Sequence, residues 1–476
     1  MSGLFGELAN GVKALTAASR SIETAGRNLA NVNNPNFARQ RVIYGDRGSV
    51  QTELGVQSLG VEARQIQQLR DSLLDGQVVR EIALLASFET EQDAYQRAQA
   101  SLGQSVDRSG ATSQTGSEGS TNGIAQALSD FFNAFQSFSA SPTDSGERLA
   151  LVQKAGILTD ALNETDSRLV QLQADLTTQA TSDIGEINGM LATIADLNGQ
   201  IGRLEINQPG AAVDLRDQRQ AVVEKLAEKM SIETRPDPAY AGQIQVFSRD
   251  AANNPVQLVN LAVTTGPVTL SGSTVSAGTP ATALALKGGS LNGHLTARDG
   301  AITDLRNNLD ALSRQLVTSV NAAYNPTNAA SGYFFAPVPP ATATAGTIAV
   351  ASTVTAANLK ASNGGAAGDN TIALAVAALA NATFTTPADA INGSFSQFYT
   401  RTVTDLGQAL TTANTHVASQ TSIETLVRGQ RDAISGVSLD EEMADLIKYQ
   451  RAFQATSRVI QVIDELLDAV VNRLGS

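Results

Sequence analysis

The reading of the fold turns on residues 439–474, LDEEMADLIKYQRAFQATSRVIQVIDELLDAVVNRL. Leu439, Leu446, Phe453, Ile460, Leu467 and Leu474 stand seven residues apart without a break. Met443, Tyr449, Ile463, Val470 and Val471 fill the turns between them. An apolar repeat of 3.5 residues is that of a helix supercoiled against a partner. The matching strand lies at the other end of the chain. Leu8, Leu15, Ile22 and Leu29 are also seven apart, with Phe5 and Val12 at the second seam position. The termini therefore read as two coiled-coil helices, and the long middle as an excursion that leaves them and returns. That is the layout of a polymer subunit. These seam residues, with Met443, are the expected polymer interface.

A chain of 476 residues has room for about three domains of ~150 each. Hydrophobic residues make up 42% and aromatics only 4%, with no Trp and no Cys. Without Cys there are no disulfides, thiolate zinc sites or thiol nucleophiles. A net charge of −13 argues against nucleic acid as a partner, because such binding releases counterions to a basic face. No run approaches the ~18 apolar residues of a membrane span. The start, MSGLFGELANGVKALTAASR, has spaced apolar residues and lacks the features of a cleaved secretory signal.

The expected fold class is mainly α with β insertions: terminal coiled-coil helices, a long helical rod, and one or two small inserted β-rich domains. Residues 1–62 with 435–476 form the terminal part. Residues 63–231 with 292–325 and 391–434 form the rod, 232–291 an inserted β domain, and 326–390 a second insertion rich in Ala, Thr and Gly. Within this scheme, 3–32 is the first helix, stopped at Asn31-Val-Asn-Asn-Pro35. Residues 41–62 are an extended arm, and Arg64 to Leu102 is helical with an interruption at Gly76. Residues 104–123 are a polar low-complexity loop. Phe131, Phe135 and Phe138 share one helical face and read as core. From Glu147 to Glu205 there is no Pro, and apolar residues recur every three or four positions, as in a rod. Asp214-Leu-Arg-Asp-Gln-Arg219 reads as a solvated helix start. Residues 232–286 alternate as short strands. A helix returns over Gly293 to Tyr324. Thr347–Val350 and Thr371–Val376 read as strand-like, and helix resumes, with breaks, from Ala390 to Ile434. Ser438 and Glu441 have capping-box spacing at the start of the last helix.

The string Asn28-Leu-Ala-Asn-Val-Asn-Asn-Pro-Asn-Phe-Ala-Arg-Gln40 resembles the N-terminal signature of the bacterial flagellar axial proteins, the rod, hook and hook-associated subunits. Its counterparts of that signature are Asn28, Leu29, Asn31, Asn33, Pro35, Phe37 and Gln40. Asn34 stands for the usual Thr and Asn36 for the usual Gly, and Asn tolerates the left-handed backbone such a turn needs. Residues 435–455, with Tyr449 and Gln450, are similar to the C-terminal signature of the same proteins. The segments around Phe131 and Asp214 resemble those of the hook-associated subunits at the junction of hook and filament.

The resemblance implies a structural adaptor at that junction, exported outside the cell by the flagellar type III route without a cleaved signal. It implies self-association in a ring of copies, contacts with the hook subunit and the second junction protein (hook-associated protein 3), and an export chaperone on the last helix. Free termini that order on assembly are the expected mechanism. Another axial subunit, of hook or rod, is the alternative. A secreted hydrolase on a helical scaffold is a reading from a different class. It needs a catalytic constellation, and the chain offers two His, His294 and His416, with no Gly-x-Ser-x-Gly, Walker A or His-Glu-x-x-His motif. No metal, cofactor or small-molecule substrate is expected.

Overall fold

In the computed structural model, residues 2–46, 48–52, 55–58, 60–103, 123–240, 242–329, 332–364 and 368–474 are described. Most of the polar loop at 104–123, and Leu59 of the arm, lie outside them, as do the side chains of Val56, Val470, Val471 and Leu474. The elements run α1 (Ser2–Ala30), β1 (Gln40–Asp46), β2 (Ser49–Thr52), β3 (Gly55–Ser58), β4 (Val61–Gln68), α2 (Ser72–Ser101), α3 (Ile124–Ala140), α4 (Ser145–Glu205) and α5 (Val213–Lys229). They continue with β5 (Glu233–Pro236), β6 (Ile244–Arg249), β7 (Pro255–Asn260), β8 (Val263–Thr264), β9 (Thr269–Ser271), β10 (Thr274–Ala277) and β11 (Thr282–Ala283). Then follow α6 (Ser290–Asp299), α7 (Ala301–Tyr324), β12 (Phe335–Ala336), β13 (Ala349–Val350), α8 (Thr371–Ala378), α9 (Phe395–Ser435) and α10 (Leu439–Leu474). The architecture is mainly α with small antiparallel sheets inserted.

Two compact units are formed: Met1–Leu85 with Ile184–Gly289 and Gln420–Ser476, and Ala86–Asp183 with Ser290–Ser419. In the first, β1 pairs antiparallel with β4, and β2–β3 makes the tip of the same arm. The strand pairing reaches further than the sequence suggested. Arg64 to Gln68 is strand, because Ile66 alternates with polar neighbours and lies opposite Val42. The helix starts only at Ser72, where the Asp71 carboxylate accepts the Leu73 amide at 2.8 Å. Gly76 does not interrupt it.

The inserted β region has the sheet orders β5-β6-β7-β8 and β11-β10-β9. Two asparagines of the long helix α4 fix it. Asn198 donates to the carbonyls of Ile244 and Leu261, both at 2.8 Å. Asn188 donates to the Val268 carbonyl and accepts the Val268 amide, at 2.9 and 2.8 Å. A carboxamide can donate and accept at once, so it satisfies a passing strand without another strand beside it.

The second unit is built on Phe131, Phe135 and Phe138, all fully buried. The Phe131 ring lies within 6 Å of those of Phe132, Phe135, Phe334 and Phe335. Asn321 of α7 accepts the amides of Phe334 and Phe335 at 2.9 Å and donates to the Phe335 carbonyl, turning these rings inward. Thr371–Val376 is part of helix α8 and not a strand. Ile372, Ala373, Val376 and Ala377 are its buried face, a helical period hidden in an Ala/Thr-rich stretch. The expected breaks between Ala390 and Ile434 are likewise absent from α9, which is continuous over its 41 residues. The helix over Gly293 to Tyr324 is instead two, α6 and α7, parted at Gly300.

Candidate assembly site of the paired termini

The two terminal helices pack antiparallel. Asn28 meets Glu442 at one end of the pair, and a Cβ placed on Gly11 would be 3.0 Å from Cγ1 of Ile460 nearer the other. On α10 the inward positions are Glu442, Leu446, Tyr449, Phe453, Thr456, Ile460, Ile463 and Leu467, spaced alternately four and three and all buried or half-buried. Leu446, Phe453, Ile460 and Leu467 of the seven-residue repeat are thus on the seam that meets α1.

On α1 the outcome is different. Its most buried positions are small or polar: Ala17, Ala18, Ser21, Thr24, Ala25 and Asn28. Large side chains of α10 therefore enter a face of small ones on α1, which lets the backbones approach closely. The apolar residues named from the sequence stand one position further round, about 100° on an α-helix. Phe5 and Val12 remain 56% and 48% exposed, while Leu8, Leu15, Ile22 and Leu29 are half-buried. Leu439 and Met443 of α10 are 47% and 48% exposed. Val459, Val462 and Leu466, which the heptad count does not single out, are also exposed, at 53%, 54% and 50%.

The signature residues do a second job, at the joint between the helices and the arm. Asn28 is buried. It donates to the Gln40 carbonyl at 2.8 Å and to Glu442 Oε2 at 3.0 Å, and accepts the Gln40 amide at 3.0 Å. Arg39 reaches Glu442 Oε1 at 2.7 Å and Glu441 Oε2 at 2.6 Å, and its amide donates to the Ser435 carbonyl at 2.8 Å. Burial works against the Arg39 charge, but Glu442 and Glu441 outweigh it and hold its pKa above the ordinary arginine value. Ser438 precedes the first turn of α10, where its carbonyl accepts the Glu442 amide at 3.0 Å, while the Glu441 carboxylate is engaged by Arg39.

Asn31 and Asn34 bond to each other and within the turn, and the Asn36 amide donates to Asn34 Oδ1 at 3.2 Å. Asn33 and Pro35 are exposed and Phe37 half-buried. The Pro35 carbonyl accepts from Arg431, the Asn36 carbonyl from Arg70. Tyr449 is half-buried on the α10 seam and Gln450 is exposed.

Asp214 is exposed in the first turn of α5, the solvated helix start the sequence suggested, but Asp217 and Arg219 of the same cluster are part of this joint. Asp217 pairs with Arg70 at 2.6 Å, and Arg431 with Glu224 of the same helix at 2.7 Å. Burial pushes the Asp217 carboxyl above the usual aspartate range despite Arg70. Arg219 is buried and donates to Asn198 Oδ1 and the Gly242 carbonyl, both at 2.7 Å, and burial pushes its pKa down to about 10. These partners lie far apart in sequence, so no local pattern reveals them.

The two histidines are in the second unit. His294 lies 3.6 Å from Asp183 Oδ2, which also accepts from Ser290, and Asp299 is engaged by Arg298. The serine hydroxyl is thus turned to the carboxylate, away from the role of a nucleophile activated by histidine. The His416 ring lies tilted against that of Phe88, with centroids 4.7 Å apart. Among the described residues no group of three His, Asp or Glu is placed to hold a metal ion, and no helix is long and apolar enough to cross a membrane.

The chain is similar to known proteins. Residues 111–331 match the family described as the flagellar hook-associated protein FlgK helical domain, and 430–474 match the C-terminal family of the flagellar basal body rod FlgEFG proteins. Over its full length the chain is similar to flagellar hook-associated protein 1. It is 26% identical to flagellar hook-associated protein 1 of Bacillus subtilis, with 100% of this chain and 99% of that protein aligned. The protein of the same name from Escherichia coli is 24% identical, over 97% of this chain and 98% of its own length. The structure of the flagellar hook junction protein FlgK from Burkholderia pseudomallei superposes with a TM-score of 0.61 at 14% identity, over 76% of this chain and 100% of that one, which establishes the shared fold.

Proposed function

We propose that the chain is a structural subunit of the bacterial flagellum, an adaptor between hook and filament that polymerises through its terminal helices. One observation carries this reading: the α1–α10 pair closes one seam of each helix and still presents Phe5, Val12, Leu439, Met443, Val459, Val462 and Leu466 to solvent. Large apolar side chains exposed in repeating rows along a helix mark protein-binding faces. At ~1.5–3 kcal/mol for each fully buried side chain, covering it drives association strongly. In this role the chain leaves the cell without a cleaved signal. A chaperone masks the last helix until delivery, a ring of copies forms, and hook and second junction subunits bind below and above.

Ile460→Asp and Leu467→Asp place a charge in the α1–α10 seam. Each is expected to abolish incorporation at the hook end in a strain lacking the native chain, with the thermal transition of the Phe131 core unchanged. Normal incorporation of both variants refutes the reading.

A further inference from the structure

The exposed apolar residues of the terminal pair are not scattered. Ala452, Ala455, Val459, Val462, Leu466 and Ala469 follow spacings of three and four along α10, and all six are exposed. This is a second seam with the 3.5-residue period of the first, built of three Ala, two Val and Leu466. Its counterpart on α1 is the seam of Phe5, Leu8, Val12, Leu15, Ile22 and Leu29, whose side chains other than Val12 are all larger than Val.

Their placement follows from helix geometry. On α1 the leucine seam is one residue ahead of the buried face that holds Gly11, Ala18, Ser21, Ala25 and Asn28. On α10 the valine–alanine seam is one residue behind the buried face that holds Phe453, Ile460, Ile463 and Leu467. One residue is a turn of about 100°. Because the helices run antiparallel, both offsets are the same rotation when viewed from one end. The two buried faces point at each other, so equal rotations carry the two outer seams to opposite sides of the pair.

Among the described residues the arm makes no hydrogen bond to the leucine side. It contacts the other flank of α1, where Arg20 donates to the Ala63 carbonyl at 3.1 Å and Asn10 is the nearest neighbour of the position at Gly60.

We infer that the valine–alanine seam of α10 receives the leucine seam of α1 from a second copy of the chain, head to tail. The inference rests on the polymer reading above and gives it a direction. The occupant is indicated by what already packs inside one chain: large side chains of one terminal helix against small ones of the other, with the same repeat. The register follows too. With Gly11 facing Ile460 and Asn28 bonded to Glu442, Val12 stands level with Val459, Leu8 with Val462 and Leu15 with Ala455. Copies at one height in a ring bring the same levels together. Two different seams on opposite sides form a heterologous contact, which propagates around a ring or along a helix; an isologous contact stops at a dimer.

The chain has no native cysteine, so introduced ones report directly. Val12→Cys is combined in turn with Ala455→Cys, Val459→Cys and Val462→Cys, one turn to either side of the level position, in a strain lacking the native chain. Leu8→Cys with Val462→Cys and Leu466→Cys provides a second set, should any of the first fail to assemble. Flagella are isolated, oxidised and run on denaturing gels. The expected result is a ladder extending beyond the dimer from at least one double variant, and no linked species from any single variant. Dimers from a single variant mean that like seams meet, which overturns the inference. Incorporation without any linked species from either set overturns it as well, and leaves the polymer reading standing. Absence of the native chain from isolated flagella removes the polymer reading itself.

Discussion

Asn28→Ala tests whether the joint at the N-terminal signature holds the paired termini together. The substitution removes both bonds to the Gln40 backbone and the bond to Glu442 Oε2. Glu442 keeps Arg39, so the cost falls on the buried amide and carbonyl of Gln40. An unmet buried group costs about 1–3 kcal/mol, which for two groups gives roughly 2–6 kcal/mol. The deleted carboxamide leaves space that a water can enter, which draws the expectation towards the low end, about 2–3 kcal/mol.

The measurement is hydrogen exchange at two amides that do not bond to Asn28. One is Arg39, which donates to the Ser435 carbonyl; the other is Leu69, which donates to the Arg39 carbonyl. Where exchange follows local opening, about 2–3 kcal/mol speeds it roughly 30- to 150-fold. Asn31→Ala is the control, since that side chain bonds only to Arg27 and Asn34 within its own turn. It is expected to change the same amides less than about threefold, because its side-chain bonds stay within the turn and substitutions away from buried networks cost little. If the two variants speed Arg39 and Leu69 equally, the joint does not work as argued.

Two further outcomes are expected. Glu205 accepts from Arg216 at 2.5 and 2.8 Å; burial raises its pKa, but Arg216 and the amides of Gly210 and Ala212 outweigh it and hold the net value below the ordinary 4.5. A depressed carboxyl contributes stability above its unfolded value that is lost as pH falls through the folded one. Glu205→Gln should therefore unfold at lower denaturant than the native chain near neutral pH, with the difference shrinking on acidification below the ordinary carboxyl range; a gap that widens there contradicts the sign. Phe131→Ala empties a fully buried site among four other rings and should cost about 3–5 kcal/mol, read as a lower thermal transition of the second unit with the Arg39 amide unaffected.

Much of the fold was legible because its signals are periodic and local. The heptads of α10, the Pro-free run of α4, the Phe131 face and the alternating strands after Ile232 each lie within one short window. What escaped notice lacks such a signal. The face of α1 that packs on α10 is Gly11, Ala18, Ser21, Ala25 and Asn28, residues that leave no trace in hydrophobic periodicity, which marks the larger residues beside them. Thr371–Ala378 hid its helix among alanines. Arg64–Gln68 alternates over too few residues to compete with the helix that follows. Asp217 and Arg219 look solvated in isolation, and only Arg70 and Asn198, brought from elsewhere, make them internal.

Three ion pairs surround the signature turn: Arg39 with Glu442, Arg70 with Asp217, and Arg431 with Glu224. Their partners are 403, 147 and 207 residues apart. Such pairs contribute modestly to net stability, because desolvation offsets most of their attraction, whereas removing one partner alone costs several kcal/mol. Their effect is on specificity. An antiparallel pair of heptad helices can slide by one repeat and still bury apolar residues, so the seams alone do not set the register. Arg39, fixed on the strand that Asn28 clamps, reaches Glu442 and Glu441 in the first turn of α10 in one register only. A slip of seven residues would leave a buried Glu442 without its cation. The turn between α1 and β1 thus fixes the level at which α1 meets α10, and with it the level at which the outer seams are displayed. In the polymer proposed above, copies that match along those seams require that constant, and this accounts for a signature placed in the turn at 31–40, six of its ten residues polar, as well as in the helices themselves.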